Sequence, residues 1–166
     1  MDMEFRIEHK DAFRVVGLVI HTTSENNLCR NEVPSLWGEV IQSNMMNEIM
    51  ELSNQSPSEI MGISVYNTDH NDSKKFDYYI ASATSNPVKD GLVEYTVPSA
   101  TWAVFPCKRT EISEVEIRIE TEWKLTSGYE ILNVGYETGE MDSKAPDIEV
   151  HKMDDTSEVW IAVKNK

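Results

Sequence analysis

Two stretches of this chain repeat one another in order, length and pattern, and that repeat limits the available folds more than any other feature. Ile63-Ser64-Val65-Tyr66 matches Ile148-Glu149-Val150-His151, and Tyr79-Ile80-Ala81 matches Trp160-Ile161-Ala162. Each set reads as two short strands joined by a polar loop. The first spans residues 62–67 and 76–84, with Asp69, Asn71, Asp72 and Ser73 between; the second spans 147–152 and 158–163, with 153–157 between. An extended run precedes each copy. Residues 5–21 carry Phe13, Val15, Val16, Leu18, Val19 and Ile20, mostly β-branched or aromatic, with Gly17 permitting a bulge. Residues 92–107 form either one long strand or two pieces bent near Pro98.

A helix is expected between the run and the hairpin of each copy. In the first, Val33, Leu36, Trp37, Val40, Ile41, Met45, Ile49 and Leu52 keep a three-and-four spacing that puts them on one face. Asn31 can cap that helix, Pro34 is tolerated in its first turn, and Ser53 to Pro57 end it. In the second, Ser113 and Glu116 have the spacing of a capping box, and Ile112 and Ile117 that of a hydrophobic staple. Val115, Ile119 and Trp123 continue its apolar face, and Ser127-Gly128 supplies a left-handed stop. An irregular stretch over 129–145 follows. The expectation is one α+β domain over 1–166, built from strand-helix-strand-strand units at about 3–85 and 91–165.

Fifteen basic against twenty-nine acidic residues give a net charge of −14. Such a field repels phosphate backbones, which argues against direct nucleic-acid binding, and it raises the local concentration of cations. The first ten residues have no apolar run of the signal-peptide kind, and no stretch approaches the roughly 20 apolar residues of a membrane span. Cys29 and Cys107 lack CxxC spacing or clustered histidines, which argues against a disulfide scaffold or a zinc site. A cytoplasmic protein without membrane contact, metal or cofactor is expected.

Several segments resemble the GyrI-like effector-binding family, also found as the ligand-sensing half of AraC-type and MerR-type bacterial transcription activators. They are residues 95–105 (YTVPSATWAVF), Trp123 with 127–130 (SGYE), residues 146–150 (PDIEV) and 158–163 (EVWIAV). The resemblance implies two pseudo-symmetric repeats whose strands form one curved antiparallel sheet. Two helices would pack on its outer face, and a ligand cleft would lie between the repeats. It also implies that no helix-turn-helix belongs to this domain, and no residues are left over here to supply a DNA-binding domain.

In multidrug-sensing relatives a buried carboxylate meets lipophilic cations among aromatic rings. Glu149 matches the family's central glutamate by position, since a charge between Ile148 and Val150 sits on the opposite strand face from them. Glu158 is the second candidate. Tyr66, Trp102, Phe105 and Trp160 are the expected wall residues; Trp37, Tyr79 and Trp123 are further rings at core-like positions. His151 stands where many relatives carry tyrosine, and could add a titratable partner.

Three functions follow from these expectations. The first is a small-molecule sensor or sequestering protein for amphipathic, often cationic compounds. The second is a hydrolase of strained cyclopropane-containing toxins with Glu149 as general base. The third is a protein partner of DNA gyrase or of a transcription complex.

Overall fold

The computed structural model describes residues 3–66, 71–72, 74–132 and 145–166; the loop residues 67–70 and 73, and most of the irregular stretch expected over 129–145, lie outside them. The polypeptide runs β1 (Arg6–Lys10), β2 (Phe13–Thr23), α1 (Cys29–Gln42), α2 (Met45–Leu52), β3 (Ile60–Val65) and β4 (Lys75–Ala83). It continues with β5 (Val93–Val97), β6 (Ala100–Lys108), α3 (Ile112–Arg118), β7 (Tyr129–Ile131), β8 (Asp147–His151) and β9 (Thr156–Asn165). The fold is α+β, with one nine-stranded antiparallel sheet in the order β1-β6-β9-β8-β3-β4-β2-β5 and β7 joined to the end of β9.

The repeat is visible in the pairing itself. Ile63 faces Tyr79 across the first hairpin and Ile148 faces Trp160 across the second, as the aligned sequences require. The two hairpins meet at the centre, where Ile63 pairs with Ile148 and Gly62 with Glu149. Each extended run divides into two strands, at Asp11-Ala12 and at Pro98-Ser99. The divided pieces part company, because β1 joins β6 of the other repeat while β5 joins β2. Two connecting residues span roughly 11 Å at most, yet they link strands from opposite ends of the order. The sheet must therefore curl until its ends approach.

Strand alternation assigns each side chain to one face of that curl. The inner face collects Val15, Ile63, Trp102, Val104, Ile148 and Trp160. On the outer face, Leu36, Val40, Ile49 and Leu52 of α1 and α2 cover Tyr78 and Ile80. Ile119 and Trp123 cover Phe105 and Val159 in the second half. Burying each large apolar side chain stabilises the fold by about 1.5–3 kcal/mol.

The first helix departs from its expected form. It begins at Cys29, keeps Pro34 inside, and stops at Gln42, where Asn44 adopts a left-handed φ of 68°. Asparagine tolerates that conformation, and its Oδ1 accepts a 2.6 Å hydrogen bond from Asn47 Nδ2. The apolar spacing carries across the break, so periodicity alone shows one helix where there are two. α3 is preceded by a single turn at Arg109–Glu111 and passes through a wider turn at Ile119–Trp123. Glu111, not Glu116, accepts the reciprocal cap bond, from the Lys108 amide at 3.2 Å. Ile112 is buried while Ile117 is exposed, so the expected staple does not close. Gly128 does take the left-handed stop, at φ 83°.

Gly17 pairs in unbroken register with Ala81 and makes no bulge. Its use is close approach, since a Cβ there would sit 1.9 Å from the Ile80 carbonyl oxygen.

Candidate ligand-binding site

A cleft of about 1050 Å³ opens on the outer face, above the seam where the repeats meet. Val33, Pro34, Trp37 and Ile41 of α1, with Met46 and Met50 of α2, form one wall. Arg109, Ile112, Ser113 and Glu116 form the other. The floor is Ile60, Tyr78, Glu149 and His151.

Register explains why these floor residues meet. Asp147, Glu149 and His151 pair with Ser64, Gly62 and Ile60, so all six point to the outer face. Tyr78 lies across from Ser64 on that face. A Cβ on Gly62 would meet the Tyr78 hydroxyl oxygen at 2.1 Å, so the bare glycine is what admits that phenol to the floor. Trp37 Nε1 donates to the same hydroxyl at 2.9 Å, and the Trp37 ring stands edge-on to His151 with centroids 5.0 Å apart.

The charge balance of the floor is unusual. Glu149 projects away from Ile148 and Val150, and burial followed by the negative charge of Asp147 pushes its carboxyl up to about 7. Glu116 shows its surface to the cleft, yet the surrounding protein desolvates its charge. Burial first, then Glu149 and Asp147, raises its carboxyl well above the ordinary range. Neither Glu116 nor Glu149 has a hydrogen bond or ion pair with any described residue. Burial and the neighbouring Arg109 charge lower His151 to about 4, so its ring is neutral at physiological pH. Burial, then Glu149, raises the Tyr78 phenol well above its usual value, and it keeps its proton.

Of the expected site residues, Glu149 and His151 line this cleft and the other five lie elsewhere. Glu158 pairs with Val150 and so faces inward. There Arg6 Nη2 lies 2.9 Å from it, Lys152 Nζ 3.6 Å, and Trp160 Nε1 donates to it at 3.1 Å. Burial acts to raise its pKa, but the bonds from Trp160 and Arg6 and the charges of Arg6 and Lys152 outweigh burial and lower it. Trp102 and Trp160 pack against each other on the inner face, 5.7 Å between centroids. Phe105 is covered by Trp123 and Phe5, and Tyr66 is buried against Phe76. The rings that do wall the cleft are Trp37 and Tyr78.

Parity in the second hairpin carried the missing signal: Trp160 lies across from Ile148, hence on the face that Glu149 avoids. Glu116 was hidden by a plausible capping role, and Arg109 by its place in a short irregular turn.

Glu158 thus sits in an ion-paired cluster of the inner face, away from the outer-face cleft. Arg6→Met is expected to lower the melting temperature by several degrees, because it strips a buried carboxylate of its main partner. Calorimetric titration of a cleft ligand should show unchanged affinity; a matching loss of affinity would return Glu158 to the site.

Among the described residues, no helix is long and apolar enough to cross a membrane. A search of curated proteins finds none similar in sequence. Several solved structures share the fold. A putative bacterial transcription regulation protein from Staphylococcus aureus MU50 aligns with TM-score 0.74 and 16% identity over 99% of this chain and 100% of its own. SAV2435, solved bound to tetraphenylphosphonium, gives TM-score 0.78 and 16% identity over 98% and 94%. An integron cassette protein from Vibrio cholerae gives 0.62 and 17% over 96% and 95%. Residues 6–163 match the family model described as "Cass2: Integron-associated effector binding protein". By that match over nearly its whole length, the chain belongs to the family of integron-associated effector binding proteins and is a small-molecule-binding domain.

Proposed function

We propose that this chain takes up amphipathic organic cations in the outer-face cleft, with Glu149 as the central counter-charge and Glu116 as a second one on the facing wall. The observation that carries the reading is the pair of carboxyl groups, without partners among the described residues, in a cleft whose apolar and aromatic lining includes Trp37, Tyr78, Ile60 and methionines. An ionised carboxylate held there loses much of its hydration, and an incoming cation recovers part of that loss. Ring faces add about 0.5–2 kcal/mol per cation contact. Met46 and Met50 can repack around ligands of different outline. The cleft volume suits a drug-sized molecule. The tetraphenylphosphonium bound to SAV2435 is a ligand of this chemical class. The overall charge of −14 draws such ions in. The reading makes the chain a sensing or sequestering protein of the cytoplasm, where its two free cysteines are at home.

The test is a calorimetric titration with tetraphenylphosphonium at pH 6 and pH 8. Glu149 changes charge near pH 7, so its ionised fraction, and with it the affinity, should rise about tenfold between those values. Glu116 acts in the same direction. His151 stays neutral throughout the window, and Tyr78 stays protonated. Arg109 lies near His151, and the Lys152 ammonium pairs with Glu158. Neutral triphenylphosphine oxide of similar shape should show no such rise. Cation binding that ignores pH would remove Glu149 from the role.

A further inference from the structure

The α3-side wall of the cleft carries an acid and a base, and both meet partners on the β8 side. On the α3 side, Arg109, Ile112, Ser113 and Glu116 follow a three-and-four spacing that sets a base and an acid at the two ends of one face. From the single turn at Arg109 through the first turn of α3 the chain advances about 10 Å. On the β8 side, Glu149 and His151 lie two residues apart on the same face, while the Lys152 ammonium turns to Glu158. The two series are aligned, because Glu116 feels the charges of Glu149 and Asp147 while His151 feels that of Arg109. One end of the cleft is thus acidic on both sides, and the other holds the Arg109 guanidinium beside a neutral His151.

The basic end is not used up by the protein. Lys152 lies 3.6 Å from Glu158 and is committed to it. Arg109 is held by two main-chain carbonyls, since its Nη2 donates to that of Lys152 and its amide to that of Asp155 at 2.9 Å. No acidic side chain among the described residues is paired with its guanidinium. In a chain with 29 acidic and 15 basic residues, that is an arginine kept from partners that are in excess. It is positioned, charged and turned toward the same cleft as the two glutamates. A guanidinium with free N–H donors suits a carboxylate or a similar planar anion.

We propose that the preferred ligands of this cleft are elongated amphoteric molecules, with a cationic group at Glu149 and Glu116 and a carboxylate-like group about 10 Å away at Arg109. The proposal rests on the cation reading above and narrows it to a ligand class. Amphipathic wall residues between the two ends would cover an apolar linker.

The probes are (7-carboxyheptyl)triphenylphosphonium and its methyl ester, which share the cation and the chain and differ in the anionic end. Titration of the intact natural chain should show the acid binding about five- to tenfold tighter than the ester, the range of one well-placed, partly desolvated charge pair. Arg109→Met should erase that advantage, so that the acid and the ester bind the variant equally. The ester affinity also reports that the variant is folded. Equal or weaker binding of the acid by the natural chain overturns the proposal and leaves the cation reading standing. An advantage that survives in Arg109→Met overturns it too. Failure of both probes to bind the natural chain ends both readings at once.

Discussion

At pH 8, Glu149→Gln protein should bind tetraphenylphosphonium at least tenfold more weakly than the natural chain, and in the absence of ligand it should melt at a higher temperature. Both effects have one cause. The ordinary glutamate value is 4.5, and in the folded protein burial and Asp147 lift Glu149 to about 7. Below pH 4.5 the carboxyl is protonated whether the chain is folded or not, and no stability is lost. Between 4.5 and 7 the unfolded chain releases its proton while the folded one holds it, so stability falls as pH rises. Above 7 the loss is complete. Glutamine cannot ionise, and the variant is spared that fall, which should appear as a few degrees of melting temperature at pH 8 and close to none at pH 4.5. The same substitution removes the charge that a cation would meet. Equal affinity in the two proteins would rule out the assigned role. A lower melting temperature at pH 8 would contradict the strained charge state itself.

A larger loss of stability is expected at Gly17. The side chain added by Gly17→Ala would place its Cβ 1.9 Å from the Ile80 carbonyl oxygen and 2.6 Å from the Ala81 Cα. Both are main-chain atoms of the paired strand and cannot rotate aside. β2 is also held on its other edge by β5, where Gly17 pairs with Val93, so it cannot shift without breaking a second ladder. Overpacking of this kind costs about 3 kcal/mol or more, or about 10 °C in melting temperature for a chain of this size. Differential scanning calorimetry of the two proteins measures it directly. A change below about 2 °C would mean that the strands separate more readily than their pairing implies. Gly38, where an added Cβ would meet no heavy atom within 4 Å, is the matched control.

Much of the fold is written locally, and so is readable. The aligned hairpins at Ile63–Ala81 and Ile148–Ala162 need only alternation and turn chemistry, and their pairing in the structure follows the alignment residue for residue. The exchange of β1 and β5 between repeats is a long-range choice, and nothing within residues 5–21 or 92–107 reports which partner each piece takes. The break at Asn44 is hidden for a different reason, because a left-handed residue costs asparagine little and leaves the apolar spacing intact. In the site, Glu149 was legible because a charge between two β-branched neighbours has one face to occupy. The aromatic walls were not, since ring type says nothing about which side of a strand a ring takes. Trp102, Phe105 and Trp160 are as aromatic as Trp37 and Tyr78; only register separates core from cleft.

The exchange of edge strands also bears on how the protein is made. During synthesis β2 is finished long before its outer neighbour β5, and β1 waits for β6. Until the second repeat arrives, the first has an unpaired strand edge at β2 and a loose amino-terminal strand, the two conditions that favour pairing with the wrong chain. Each half thus completes the other as one subunit of a strand-exchanged dimer would, with residues 84–92 serving as the tether. Two separately expressed halves, divided within the exposed residues 87–91, should aggregate when alone and recover the sheet when mixed, because that part of the tether supplies local concentration.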